Sequence, residues 1–133
     1  DIGDILALQT AGMVIGSHGI NHLKWSSLDQ TALRAEVVDS RQVLEDICGK
    51  PLHSAAIPFG AYNAGVLRAL RRAGYTSVYS SDGGTMESDA FLRPRSSVRT
   101  DMSQSETQDI LVAKISLLRR IRRKIGIVRK HLF

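Results

Sequence analysis

The sequence predicts an α/β protein built on parallel strands. Short strand-like runs alternate with stretches of helical periodicity, and the links between them are brief. The first such run, Met13-Val14-Ile15, is continuously apolar, as expected for a strand buried on both faces. With 133 residues, 43% of them hydrophobic and 23% charged, the chain has the makings of a globular core: one domain or part of a larger one.

The elements follow in order. Asp4 to Thr10 reads as the end of a short helix that stops near Gly12. After the Met13–Ile15 strand, His18 to Leu28 reads as loop. Ser27-x-x-Gln30 is a capping-box pattern. The helix it opens carries Leu33, Val37, Leu44 and Ile47 on one stripe and closes at Gly49, with Pro51 beyond. Ser54 to Ile57 is a second short strand ending at Pro58. Asn63 caps the next helix, whose inner face is Val66, Leu67 and Leu70 and whose stop is Gly74. Tyr75 to Tyr79 is a third strand, rich in β-branched and aromatic residues. Asp82-Gly83-Gly84 is a turn, and Ala90 to Thr100 is irregular and studded with arginine. Ser105-x-x-Gln108 is a second capping-box pattern, opening a basic last helix.

Charge divides the chain at about residue 100. The net charge is +5, yet Lys114, Arg119, Arg120, Arg122, Arg123, Lys124, Arg129 and Lys130 form a cluster with no acid among them. Setting those eight aside leaves 10 of the 18 basic residues against 13 acidic ones, so the body is mildly acidic. The expected division is a domain over residues 1–100 and a basic amphipathic helix over 101–133. One cysteine, Cys48, excludes an internal disulfide framework and Cys-rich zinc motifs. It suits a small apolar position near a helix end. No apolar run approaches the length of a membrane span. No secretory leader opens the chain, which begins at Asp1.

The chemistry starts with "MVIGSHGINHLKWSSLD", where His18 and His22 follow the first strand run four positions apart. In parallel α/β folds, functional groups gather where loops leave the carboxyl ends of strands. Two imidazoles in one such loop can converge on a divalent cation, and with a carboxylate they leave a position open for water. The same spacing also suits a loop in which His18 bonds backbone at the strand end and His22 is solvated. Another segment, "AAIPFGAYN", places Pro58-Phe59-Gly60 at the end of the next strand, directly before a capped helix.

Together, "GSHGINH" and "IPFGAYN", followed by "AGY", resemble the polysaccharide deacetylase family, also called the NodB homology domain or carbohydrate esterase family four. "GSHGINH" is similar to the family's second motif, His-(Ser/Thr)-x-x-His, and "IPFGAYN" to its third motif in the Tyr-Pro-Tyr-Gly branch. Gly83-Gly84 and Pro94-Arg95 also sit where that branch tends to have them, and the likeness covers roughly residues 3 to 100. The resemblance implies a partial deformed (β/α) barrel. It also implies a metal-dependent hydrolase that removes N-acetyl groups from an amino-sugar polysaccharide or glycan precursor. His18 and His22 are then ligands of a divalent metal, zinc above all. Phe59 stands where a backbone N–H helps hold the oxyanion. Pro58, Phe59 and Tyr62 are the substrate-binding candidates, with core packing the equal alternative for Phe59 and Tyr62.

The sequence departs from the family pattern at four places. Gly19 replaces the Ser/Thr after the first histidine. Ala56 replaces an arginine that orients the catalytic aspartate, which makes Arg95 the candidate substitute, beside its reading as a solvated loop residue. The tandem aspartates of the first motif are absent from the 133 residues. The late Leu-x-His motif is not recognisable, and His131 is a weak substitute inside the basic tail. The expectation is the C-terminal part of a longer deacetylase, inactive alone because the carboxylate ligand and base are missing.

The basic helix carries a different-class alternative: a non-catalytic module that lies on an anionic membrane surface through residues 109–132. Packing of that helix on the barrel body is the competing expectation. Nucleic acid is not expected, because no aromatics are interleaved with the cations from Lys114 to Lys130. Family members act mostly in the cell envelope or outside the cell, so the resemblance favours that location.

Overall fold

A computed structural model describes residues 1–84, 89–112, 125–128 and 130. Helix α1, Ile2–Thr10, begins with a reciprocal cap in which the Asp1 carboxylate accepts the Asp4 N–H and Asp4 reaches back. It lies against the long helical segment that follows, where the Gln9 amide donates to the Cys48 carbonyl at 3.1 Å.

Met13–Ile15 is not a strand buried on both faces. Met13 is 57% and Val14 83% exposed, and only Ser17 joins the sheet, through one parallel bridge to Ala55. Extending that register backwards puts Ile15 opposite His53 and Met13 opposite Pro51. Those facing residues bond away from this segment, and of the groups Met13 would need, the Leu52 N–H donates instead to the Glu45 carboxylate at 2.7 Å. The ladder therefore starts only at Ser17.

The central helical segment is α2, Gln30–Arg34, a π-type turn over Ala35–Asp39, and α3, Ser40–Cys48. Its cap is Asp29, whose carboxylate accepts the Ala32 N–H at 2.8 Å, and not Ser27. A carboxylate at the N-cap gains from the helix dipole as well as from the hydrogen bond. Ser27 instead ends a single 3-10 turn, Trp25–Ser27, and donates to the Lys24 carbonyl. Leu33 and Val37 of the stripe are buried, Leu44 and Ile47 are not fully so, and Gly49 closes the helix in the left-handed region as expected.

Strand β1, Ser54–Ala56, leads through a turn at Pro58–Gly60 into α4, Ala64–Arg72, capped by Asn63 and burying Val66, Leu67 and Leu70. Strand β2, Ser77–Ser80, follows, and β3, Leu92–Pro94, lies inside the stretch expected to be irregular. The sheet order is β1-β2-β3, all parallel, with Ala56 opposite Tyr79 and Tyr79 opposite Arg93. β3 escapes a sequence reading because it is three residues long and ends in proline, which only a strand end or edge tolerates. Helix α5, Gln104–Leu111, starts at Ser103 and not Ser105, with a reciprocal Ser103–Glu106 box. Glu106 brings a charge to the first turn that Gln108 could not.

The core joins Trp25, Val37, Ile57, Tyr62, Leu70 and Val78 between the helices and the sheet. Of the expected basic helix, residues 113–124, 129 and 131–133 lie outside the described residues, and His131 with them. The described pieces are α5, a helical stretch at 125–128, and Lys130. No helix among the described residues is long and apolar enough to cross a membrane.

Candidate active site

The histidine loop leaves the sheet where Ser17 ends its bridge to β1. The structure brings the two histidines together: their ring centroids are 4.9 Å apart, tilted by 60°, and both side chains are exposed. His18 Nδ1 lies 2.7 Å from the Ala56 carbonyl oxygen. A carbonyl can only accept, so Nδ1 carries a proton, and in the neutral imidazole Nε2 is then the nitrogen with the lone pair. His22 holds a φ of 53°, a left-handed conformation that histidine adopts more readily than most residues.

The Pro58–Gly60 turn reaches the same place from β1. Gly60 N–H donates to the Ile57 carbonyl at 3.0 Å, with Pro58 and Phe59 between them. Proline followed by a residue with positive φ is the pattern of a type II turn, and Phe59 supplies a φ of 57° without being glycine. The turn sits hard against the end of β2. A Cβ on Gly60 would come 2.9 Å from the Ser81 backbone nitrogen. The Phe59 ring is 66% exposed and packs on His22, with centroids 4.6 Å apart.

The other sequence candidates fall elsewhere. Pro58 and Tyr62 are buried, Tyr62 to 2%, so neither presents a surface to a glycan. The Tyr62 hydroxyl instead donates to Asp82 at 2.7 Å. Arg95 is exposed just beyond β3, and its backbone closes that strand by donating to Ser80 and accepting from Gly83. β1 and β2 stand between it and the Ser17 bridge, so at about 4.8 Å per strand its backbone is roughly 14 Å along the sheet from that bridge.

Two clusters were not identified from sequence. Glu36, 1% exposed, lies under the histidine loop. Its carboxylate accepts from the Ile20 N–H, the Asn21 N–H, the Asn21 side-chain amide and, at 3.4 Å, the Trp25 indole. Burial pushes its carboxyl up, but the donations from Asn21, Trp25 and Ile20 outweigh that and hold it below its ordinary value. The signal was available, since a glutamate three residues after Leu33 and adjacent to Val37 falls on the apolar stripe.

The other cluster is at the end of β2. Asp82 accepts from Tyr62, from the Ser80 hydroxyl at 2.7 Å and from Lys130 at 2.5 Å. Lys130 also donates to the Gly60 carbonyl and lies 4.7 Å from the centre of the Tyr62 ring. Burial raises the Asp82 carboxyl, and the Lys130, Tyr62 and Ser80 donors more than reverse this. No sequence signal pairs residues 48 positions apart, one of them in a tail.

Among the described residues, no three His, Cys, Asp or Glu side chains group as a cation site. The donor chemistry of the histidine pair nevertheless fits two ligands of one, because a ligating imidazole normally fixes its other nitrogen on a carbonyl or carboxylate, as His18 does.

Residues 3–78 match the family model described as "Polysaccharide deacetylase". The Bacillus subtilis (strain 168) protein YxkH, which bears a polysaccharide deacetylase name, is 26% identical over 94 residues. That alignment covers 71% of this chain and 34% of YxkH. Among solved structures, the Streptococcus pyogenes deacetylase PplD in complex with acetate is similar at a TM-score of 0.73 and 19% identity, over 82% of this chain and 49% of that one. A polysaccharide deacetylase from Bacillus cereus is similar at a TM-score of 0.69 and 18% identity, over 84% and 36% of the two chains. This chain therefore spans between a third and a half of the length of these relatives. Its three parallel strands and flanking helices share the barrel-like fold of the two solved structures.

Proposed function

The chain belongs to the polysaccharide deacetylase family, and from that premise we propose that it carries the two-histidine half of a site that removes N-acetyl groups from an amino-sugar polysaccharide or glycan precursor. The observation that carries this reading is the His18–His22 pair itself. Two exposed imidazoles stand 4.9 Å apart at the carboxyl end of a parallel sheet, one with its tautomer fixed by a backbone carbonyl.

The family is generally metal-dependent, and His18 and His22 are the residues that would hold a divalent cation here, zinc being the natural choice for imidazole. Such an ion would supply Lewis-acid polarisation of the amide carbonyl and an activated water. The chain's own residues do the rest. Ala56 fixes which His18 nitrogen faces the site. Phe59 lends its backbone N–H as the oxyanion donor, from a turn whose Gly60 packs closely on Ser81. The exposed Phe59 ring forms the wall against which an acetamido sugar rests. Pro58 and Tyr62 contribute from within, by shaping and backing that turn. Two imidazoles without a carboxylate bind a cation weakly and leave no base to take the proton from water, so the 133-residue chain alone does not turn over.

Acetate release from N-acetylglucosamine oligomers tests this. The 133-residue chain should be inert. The chain extended by any sequence encoded in frame upstream of Asp1 should release acetate. A chelator should abolish that activity, and His18→Ala or His22→Ala should remove it. Chelator-resistant release, or turnover unaffected by both substitutions, overturns the reading.

A further inference from the structure

We propose that Glu36 is the positioning residue of the histidine loop: a buried carboxylate that gathers the loop's own donors and so sets the geometry of His18 relative to His22. The proposal rests on the reading of those histidines as a working pair. It adds a residue from a different element, α2's continuation, that touches neither imidazole.

Three observations converge on it. First, three of the four donors to the carboxylate come from the segment between the histidines: the Ile20 and Asn21 N–H groups at 3.2 and 3.0 Å and the Asn21 side chain at 3.0 Å, the fourth being the Trp25 indole at 3.4 Å. Second, the loop is moulded to it. A Cβ on Gly19 would come 2.3 Å from Glu36 Oε2, and Gly19 holds a φ of +80°. The residue that departs from the family's Ser/Thr is the one that must make room for this carboxylate. Third, His22 keeps its left-handed backbone immediately after Asn21. Such a conformation persists where the surroundings over-determine it, and Asn21, held through both backbone and side chain, is that constraint.

Glu36 is itself fixed from beneath. It sits in the π-type turn Ala35–Asp39, where backbone carbonyls leave the regular helical ladder. The Glu36 carbonyl accepts from the Ser40 hydroxyl at 2.5 Å, and the Val37 carbonyl accepts from the Tyr75 hydroxyl at 3.0 Å. Ser40 is also 2.7 Å from the Ser17 hydroxyl, which accepts the Gly19 N–H. The loop is thus tied to the same turn by two routes, one through the Glu36 carboxylate and one through Ser17 and Ser40. A surface glutamate would have no reason for such support.

The test compares the wild-type chain with Glu36→Gln and Glu36→Asp by NMR. The readout is ring-to-ring proximity, His18 to His22 and His22 to Phe59, with Zn²⁺ titration as a further measurement. Glu36→Gln keeps the volume but brings an amide donor to face the loop's donors. Both ring proximities should disappear in it while the core signals of Val66 and Val78 persist. Glu36→Asp should retain them in part. If the wild type binds Zn²⁺, Glu36→Gln should weaken binding by about tenfold or more, the range seen for outer residues that orient ligands. Unchanged ring proximities in Glu36→Gln overturn the proposal whatever the metal does. Separation of the rings in Glu36→Gln, in a chain that shows no Zn²⁺ binding with or without His18 and His22, upholds the positioning role and sinks only the metal reading.

Discussion

The Lys130 ammonium lies 2.5 Å from the Asp82 carboxylate, joining the C-terminal segment to the end of β2 beside the Pro58–Gly60 turn. Asp82 keeps two other donors if Lys130 is removed, so the loss should stay near the low end for a buried acceptor. Lys130→Ala is expected to cost about 1 kcal/mol, seen as a fall in Tm of roughly 3–5 °C. An unchanged Tm would mean that this contact contributes nothing in solution and that the tail is free for another surface.

The same cluster sets an acid limit. The Asp82 carboxyl is held below its ordinary 3.8 in the folded chain. A depressed carboxyl adds stability at pH values above its ordinary value, and that contribution fades as pH falls through the lower folded value. Glu36, also depressed from its ordinary 4.5, adds a further contribution that begins to fade slightly higher. Urea unfolding between about pH 5 and pH 2 should therefore show stability falling with acid, and Asp82→Asn should flatten part of that slope. Parallel slopes for the two proteins would assign the acid limit to other carboxylates.

Gly19 and Glu36 should be energetically coupled. Gly19→Ala places a methyl against the carboxylate and demands a left-handed backbone of alanine, so it should cost well above about 1 kcal/mol. In a Glu36→Ala background that overlap vanishes, leaving the backbone cost and a 3.3 Å approach to the Trp25 indole. A double-mutant cycle should then give a coupling of about 1 kcal/mol or more. Additive effects would show that the overlap is relieved by a small shift of the loop.

What the sequence makes legible follows from the range of each interaction. Helices declare themselves by stripe and cap, because Asn63 and Val66, or Gly49 and its helix, are neighbours in sequence. The histidine pair is legible as a candidate because positions 18 and 22 share one short loop at a strand end, and the fold brings their rings to 4.9 Å. The caps at Asp29 and Ser103 are displaced by two residues from the expected serines because two capping side chains compete and charge decides. Met13–Ile15 misleads because its apolar run is the same whether or not a ladder exists beside it. The place of Glu36 on the apolar stripe is legible, but its partner Asn21 lies 15 positions away and the Asp82–Lys130 contact spans 48, so only the folded chain shows what these supports meet.

Arg95 admits a clean separation of roles. Its structural contribution runs through the backbone, which Arg95→Ala leaves intact, and its side chain is exposed. The substitution should change stability by less than about 0.5 kcal/mol. In an extended protein that releases acetate, a fall in turnover without a fall in Tm would place the guanidinium in the catalytic machinery. Unchanged turnover would leave it as a solvated residue at the end of β3, which the strand spacing favours.

Phe59 offers the sharpest division between stability and activity. Its φ of 57° is a left-handed conformation, and with the ring 66% exposed there is little burial to offset the strain. For a non-glycine residue that strain costs about 1 kcal/mol or more. Phe59→Gly removes it, though it also gives the unfolded chain more freedom, so the Tm should hold steady or rise slightly. The backbone N–H stays in place, so any oxyanion contribution survives. What disappears is the ring that packs on His22 at 4.6 Å and stands at the mouth of the site. The extended protein carrying Phe59→Gly should therefore keep its fold and lose acetate turnover, chiefly through a raised KM if the ring is a wall for the sugar. A loss confined to kcat would instead place the ring's work in holding His22. A lower Tm with unchanged kinetics would return Phe59 to a packing role and remove it from the site.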